Sequence, residues 1–381
     1  MSTQEGFSER LRAARISAGM SQDQLAHAVC ALTGISSVTR HEISRYERGK
    51  RKPTVWLSPL AEALGVEVEE LLGSAQGPDV QAEDETRALL RRFRSARAID
   101  PELVALLGQE TDAIRVIDRR LGAVAVNSKL IAHIEQLEDA LRYSIRGHIR
   151  AALAGTLAES HTLAGWQAID SGVSDLAWRH FEEAKTAARE AGDPILLAHA
   201  TGEQAYVLSD LRLADDALQL ISSAYIDALP TRLRIWLSMA KAEMAACAGD
   251  ERTCRDSLSV ADGLLAHVED EPDLPFIFVE PAHLMRWRAN CLVRFKDPEA
   301  VENLESALKG LKPGTFNRAE AGLRCDMAVI LLANGECDEA QRHAARAAEL
   351  AELTGSVRQR RRVAAVNARL ATISGQRPAS T

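Results

Sequence analysis

Ser21-Gln22-Asp23-Gln24-Leu25-Ala26, followed by Thr39-Arg40-His41-Glu42-Ile43-Ser44-Arg45-Tyr46-Glu47-Arg48-Gly49-Lys50, reads as the starts of two short helices joined by a turn. Ser21 with Gln24 and Thr39 with Glu42 have the spacing of capping boxes, in which hydroxyl and side-chain acceptor satisfy unpaired amides reciprocally. Helical spacing in the second segment puts Ile43 and Tyr46 inward and Arg40, His41, Ser44 and Arg45 outward, with Gly49 available as the stop. A face of guanidinium, imidazole and hydroxyl groups suits base edges in a major groove.

These residues resemble the phage repressor/Cro-like (XRE) helix-turn-helix family, whose Ser-Gln, Leu-Ala, Ile-Ser-Arg and Glu-Arg-Gly-Lys elements recur here between Ser21 and Lys50. The likeness extends to Leu11, Arg12 and Arg15 before them, and to Pro53, Ala63, Leu64, Gly65, Val66, Leu71 and Leu72 after them. It implies a five-helix domain over residues 1–72. There are two departures. The turn between the central helices, residues 30–38, is longer than the family's, and Pro59 falls in the expected fourth helix, where Ser58 reads as N-cap and Pro59 as the first helical residue.

The 381-residue chain carries a net charge of −8, an unusual balance for a nucleic-acid binder until it is divided along the sequence. Residues 1–72 hold nine Lys/Arg and nine Asp/Glu, whereas 40–52 alone hold six basic residues against Glu42 and Glu47. The basic footprint is therefore short and coincides with the outward helix. Aromatics make up only 4% of the chain, and Ala and Leu dominate its later part, so an all-α fold is expected throughout. No run of 18 apolar residues occurs, and the acidic, polar start carrying Glu5 and Glu9 is unlike a secretory leader, so a cytoplasmic protein without membrane contact is expected. The six cysteines lack C-x-x-C spacing and the histidines lack paired helical spacing, so neither metal nor other cofactor is expected, and the thiols read as reduced and packed. Without a P-loop, G-x-S-x-G or G-x-G-x-x-G, nothing points to an enzyme.

Residues 73–85 are small, polar and acidic and read as a linker; 86–149 read as a helical connector with amphipathic helices over 86–98 and 101–125 and a stripe of Leu130, Ile134, Leu137 and Leu141. From 150 to 373 a pattern recurs: Ala177/Phe181/Ala184, Ala217/Ile221/Ala224, Cys254/Leu258/Ala261, Ala300/Leu304/Ala307 and Ala340/Ala344/Ala347. The small first and last positions are those of the second helix of a tetratricopeptide (TPR) unit, where neighbouring helices approach closely. Successive starts lie 40, 37, 46 and 40 residues apart, longer than the usual 34. Gly172, Gly249 and Gly335 precede the small position by five residues, with Arg212 and Phe295 in the equivalent places of the second and fourth units. Residues 374–381 read as a disordered tail.

As a whole the chain resembles bacterial regulators that join an XRE-type helix-turn-helix to a TPR-like sensor, including peptide-pheromone-responsive ones. The resemblance implies a homodimer on a palindromic double-stranded DNA operator, with Gln22 on a phosphate, Thr39, Arg40, His41, Ser44 and Arg45 on the recognition helix, and Arg48, Lys50 and Arg51 on the backbone. The array is then expected to bind a peptide, small molecule or protein. A DNA-bound adaptor that recruits a partner protein, and an interaction module without DNA readout, are the alternatives. Glu42 and Glu47 read as structural, as cap and as ion-pair partner. Trp166, Trp178, Trp236 and Trp287 read as packed between helices, and the basic run 358–362 as a solvated face of the terminal helix.

Overall fold

The computed structural model describes residues 3–73, 78–226, 228–268, 274–277, 279 and 281–376. Among them are nineteen α-helices, one 3-10 turn at Ala123–Ala125 and no strand. Contacts divide the chain into Met1–Arg92 and Phe93–Thr381.

The first unit contains α1 (Thr3–Ser17), α2 (Gln22–Thr33), α3 (Arg40–Glu47), α4 (Leu57–Leu64) and α5 (Val68–Leu72). Their apolar faces meet in a core that includes Phe7, Leu11, Leu25, Val29, Val38, Ile43, Tyr46, Leu60 and Leu71. Ser21 and Gln24 form the full capping box expected at α2. At α3 only half of the second box forms: Thr39 Oγ1 accepts from the Glu42 amide at 3.4 Å, while the Glu42 carboxylate turns outward to Arg45 and Arg51. Two guanidiniums outcompete one exposed amide for a carboxylate, because both partners are charged. The turn is shorter than the sequence suggests. Helix α2 continues to Thr33 and ends on Gly34 in the left-handed region (φ 69°), so most of the extra length is an added turn of helix. Pro59 is the third residue of α4, after Leu57, with Trp56 as N-cap in place of Ser58. The proline is tolerated there because the first intrahelical bond of α4 is Leu60 N–H to Trp56 C=O, so no partner is lost.

Helix α6 (Pro78–Arg97) occupies part of the stretch read as a linker, with Pro78 at its start, where a fixed φ near −65° suits the first turn. Residues 74–77 lie outside the described residues. The second unit continues with α7 (Pro101–Leu121), α8 (Asn127–Tyr143), α9 (Gly147–Asp170), α10 (Ser174–Ala191), α11 (Pro194–Asp210), α12 (Ala214–Ala224), α13 (Thr231–Ala248), α14 (Glu251–Leu265), α15 (Pro281–Arg294), α16 (Glu299–Gly310), α17 (Asn317–Ala333), α18 (Cys337–Leu353) and α19 (Val357–Gln376). The predicted stripe of α8 is buried. Residues 377–381, most of the expected tail, lie outside the described residues.

From α9 to α18 the helices form five antiparallel pairs, capped by α19. All fifteen residues of the recurring pattern lie on the second helices α10, α12, α14, α16 and α18, and all are buried. The turns within the pairs need a left-handed residue. Gly172, Gly249 and Gly335 supply it at φ 75°, 79° and 85°, while Arg212 (φ 67°) and Lys296 (φ 55°), the residue after Phe295, adopt it without being glycine.

The array curls until its end meets its beginning. Helix α17 packs on α7 and α19 packs on α9. Asn317 Nδ2 donates to the Arg120 carbonyl at 2.8 Å, Arg318 pairs with Asp118 of α7 and with Asp170 of α9, and Ser356 Oγ lies 2.5 Å from Asp170 Oδ1. Gly122 is required at this junction, since a Cβ there would stand 2.0 Å from the Thr354 carbonyl oxygen.

Candidate nucleic-acid interface and ligand cavity

The shape of α3 is set from both ends. Its C-terminus closes in a Schellman motif: Lys50 N–H donates to Arg45 C=O and Gly49 N–H to Tyr46 C=O, with Gly49 at φ 69°. Ile43 and Tyr46 anchor the inner face. Thr39, Arg40, His41, Arg45, Arg48, Lys50 and Arg51 are exposed and Ser44 is half-buried. The candidates from Thr39 to Arg51 are thus accessible to solvent, wholly or in part, from the N-cap of α3 through the turn after it, whereas Gln22 lies on α2.

Two carboxylates organise that surface. Glu42 bridges Arg45 (3.3 Å) and Arg51 (3.0 Å), which restricts two long side chains beside the exposed face. Glu47 points inward and accepts from Arg15 Nε at 2.5 Å and Nη2 at 3.1 Å, and from Gln22 Nε2 at 2.7 Å. Burial pushes the Glu47 carboxyl up, but the hydrogen bonds from Arg15 and Gln22 outweigh it and hold the group below its ordinary value. Glu47 thus ties α1, α2 and α3 together. The Gln22 side chain is engaged in this network; its backbone amide, as the first residue of α2, belongs to the positive helix end that suits a phosphate.

The second unit encloses a cavity of about 760 Å³. Its wall corrects two sequence expectations. Trp166, Trp236 and Trp287 line it, though Trp236 and Trp287 are also buried among helices; only Trp178, packed against the core, is away from it. Arg358, Arg361 and Arg362 line it too, and only Arg360 of the basic run points away from it, toward Glu352. Positions 358, 361, 362 and 365 all face the cavity, the i, i+3, i+4, i+7 spacing of one helix face.

Most charges on this wall are paired. Arg358 binds Asp210 through Nε and Nη2, both at 3.0 Å, Arg362 binds Asp326 at 2.5 Å, and Arg115 binds Asp112 and Glu159. Burial pushes the Glu159 carboxyl above its ordinary value despite Arg115. Tyr206 OH donates to Glu243 at 2.9 Å and accepts from Trp287 Nε1 at 3.4 Å; burial and the neighbouring carboxylates drive its pKa well up, so it stays a phenol. Aromatic edges complete the lining: Trp166 meets Tyr206 edge-on at 5.7 Å, and His199 lies against Trp236 and Phe276 at 5.2 and 4.5 Å. Sequence reading missed these residues because they come from helices far apart in the chain; the tryptophans and the spacing of the basic run were the available signals.

Residues 7–72 match the family model of a helix-turn-helix domain, so the chain carries such a domain in its first unit and helical repeats in its second. No curated protein sequence matches the chain. Among solved structures, it is similar to a Bacillus thuringiensis structure, the crystal structure of PlcR in complex with the peptide PapR7 and DNA, with 14% identity, coverage of 70% of this chain and 96% of that chain, and a TM-score of 0.31. No helix among the described residues is long and apolar enough to cross a membrane.

Proposed function

We propose that the chain is a sequence-specific DNA-binding transcriptional regulator of the XRE type, acting in the cytoplasm as a homodimer on a palindromic operator, with its repeat unit binding the signal that modulates DNA affinity. The observation that carries this reading is the exposed, basic outer face of α3, held rigid by the cap at Thr39 and the Schellman motif at Gly49. In this reading Arg40 and Arg45, both exposed, donate two parallel bonds to guanine, with His41 and Ser44 beside them and Arg48, Lys50 and Arg51 on backbone phosphates. Thr39 and Gln22 sit at the starts of α3 and α2, where backbone amides face a phosphate. Dimerisation follows from readout: one small domain contacts few bases, and two recognition helices one helical turn apart multiply specificity.

The closed form of the array favours a signal over a recruited protein. A solenoid offers a partner protein its open concave face, whereas here α17 and α19 close against α7 and α9 around a space within the 300–1,000 Å³ range of small-ligand pockets. Gel-shift titration of the full chain on its own upstream DNA, against a scrambled duplex of equal length, tests the reading. At least a hundredfold preference for the upstream fragment at 150 mM salt is expected; equal affinity for both would leave a protein-interaction module.

A further inference from the structure

Among the arginines of the cavity wall, Arg286 is the one with a buried nitrogen left without a hydrogen-bond partner among the described residues. Arg115, Arg318, Arg358 and Arg362 each hold a carboxylate, whereas Arg286 of α15 holds none among the described residues and its Nε is buried without a hydrogen-bond partner there. Its guanidinium carbon lies 4.5 Å from the centre of the Trp287 ring. A guanidinium stacked in this way keeps its planar edge, and the N–H groups on it, for another acceptor. Burial pushes its pKa below the ordinary arginine value, and Arg358 adds to that push, which Glu243, Tyr206 and Asp326 only partly oppose. A desolvated cation without a counter-ion is costly in a folded protein and is kept where something else uses it.

Two acceptors on the same wall are also without donors. Glu203 Oε2 has no partner, and its other oxygen lies 3.6 Å from His199 Nε2; Asn290 gives its amide N–H to Asp326 while its Oδ1 has no partner. An orphaned cation and two orphaned acceptors thus line a space bounded by Trp166, Trp236, Trp287 and Phe276. From these residues we infer that the cavity binds a small planar molecule carrying one anionic group, taken by Arg286, and a hydrogen-bond donor for Glu203 or Asn290, its ring system lying among the tryptophans. This rests on the reading of the repeat unit as the signal-binding part and names the chemistry of the signal.

The probe that tests it is 8-anilinonaphthalene-1-sulfonate, which has a planar body, one sulfonate and one N–H donor, with N-phenyl-1-naphthylamine as the same body without the anion. Fluorescence titration of the full chain is expected to show one saturable sulfonate site per chain with quenching of tryptophan emission, and at least tenfold weaker binding of the uncharged amine. Arg286→Met is expected to weaken the sulfonate at least tenfold and leave the amine unchanged, with Arg286→Lys between. Because an unpaired buried cation destabilises the fold, Arg286→Met is also expected to melt at the same or a higher temperature than the parent. Equal sulfonate affinity in parent and methionine variant, absence of a saturable site, or a lowered melting temperature with both probes weakened alike would overturn the assignment and leave Arg286 as a structural residue. Specific gel shifts in the same preparation keep the DNA-binding reading independent: loss of the sulfonate site alone refutes only the ligand class.

Discussion

Replacing Arg318 with methionine tests the closure of the repeat array. The side chain is 12% exposed and reaches two aspartates, Asp118 (1% exposed) and Asp170 (4%), contributed by α7 and α9. Methionine fills much of the same space, so the cavity penalty is small and the electrostatic change dominates. Removing one partner of a buried pair costs about 3 to 5 kcal/mol, because the remaining charge keeps its desolvation penalty without compensation. Here two carboxylates are left facing each other, so the upper half of that range is expected, a large part of the about 5 to 15 kcal/mol that holds a typical domain. Urea unfolding followed by tryptophan emission reads it directly, since Trp166, Trp178, Trp236 and Trp287 all lie in the second unit and only Trp56 in the first. Adding Asp118→Asn to Arg318→Met should recover part of the loss by removing one stranded charge. A loss below about 1 kcal/mol, the range of solvated surface pairs, would show that the two ends are not joined through Arg318.

Three further outcomes are expected. Arg45→Ala should weaken operator binding by roughly 1 to 3 kcal/mol and spare random DNA, whereas Lys50→Ala should weaken both and reduce the salt slope by about one; competition binding at two salt concentrations separates them, and identical behaviour of the two variants would refute the division of roles. Ala217→Leu should destabilise the array by roughly 1 to 3 kcal/mol, because the Cβ of this wholly buried residue sits where helices approach closely; unchanged hydrogen exchange over residues 150–300 would contradict that. Acid should destabilise the second unit through His161, whose Nδ1 lies 3.1 Å from that of His180 and whose pKa burial and His180 push down to about 4. The unfolded imidazole, near 6.5, binds more protons than the folded one between about pH 6.5 and 4, so stability is complete above that window and falls through it by up to about 3 kcal/mol. His161→Gln should flatten the dependence of the urea midpoint on pH, and an equal slope in both proteins would dismiss the histidine as its source.

The repeats were legible because close helix approach admits only small side chains, and that demand prints Ala or Cys at a fixed place in each of five units regardless of the rest of the sequence. The helix-turn-helix domain was legible for a similar reason: caps, stop and inward residues are all local. What was not legible depends on partners distant in the chain. Asp118 and Arg318 are 200 residues apart, and Asp210 and Arg358 are 148 apart, so nothing near residues 358–362 shows that three of those arginines turn inward. Glu42 illustrates a local misreading, since its spacing to Thr39 suits a capping box but Arg45 and Arg51 compete for the carboxylate. Gly34, and not the earlier Cys30, ends α2, which moved the turn by several residues.

Selection of binding sites from a random duplex library by the full chain, sequenced over successive rounds, tests sequence-specific readout by α3 most directly. Enrichment of two inverted half-sites, their centres about 10 base pairs or a multiple of that apart, is predicted, with Arg45→Ala losing preference at one position of each half-site. A library that stays random through every round would contradict the account.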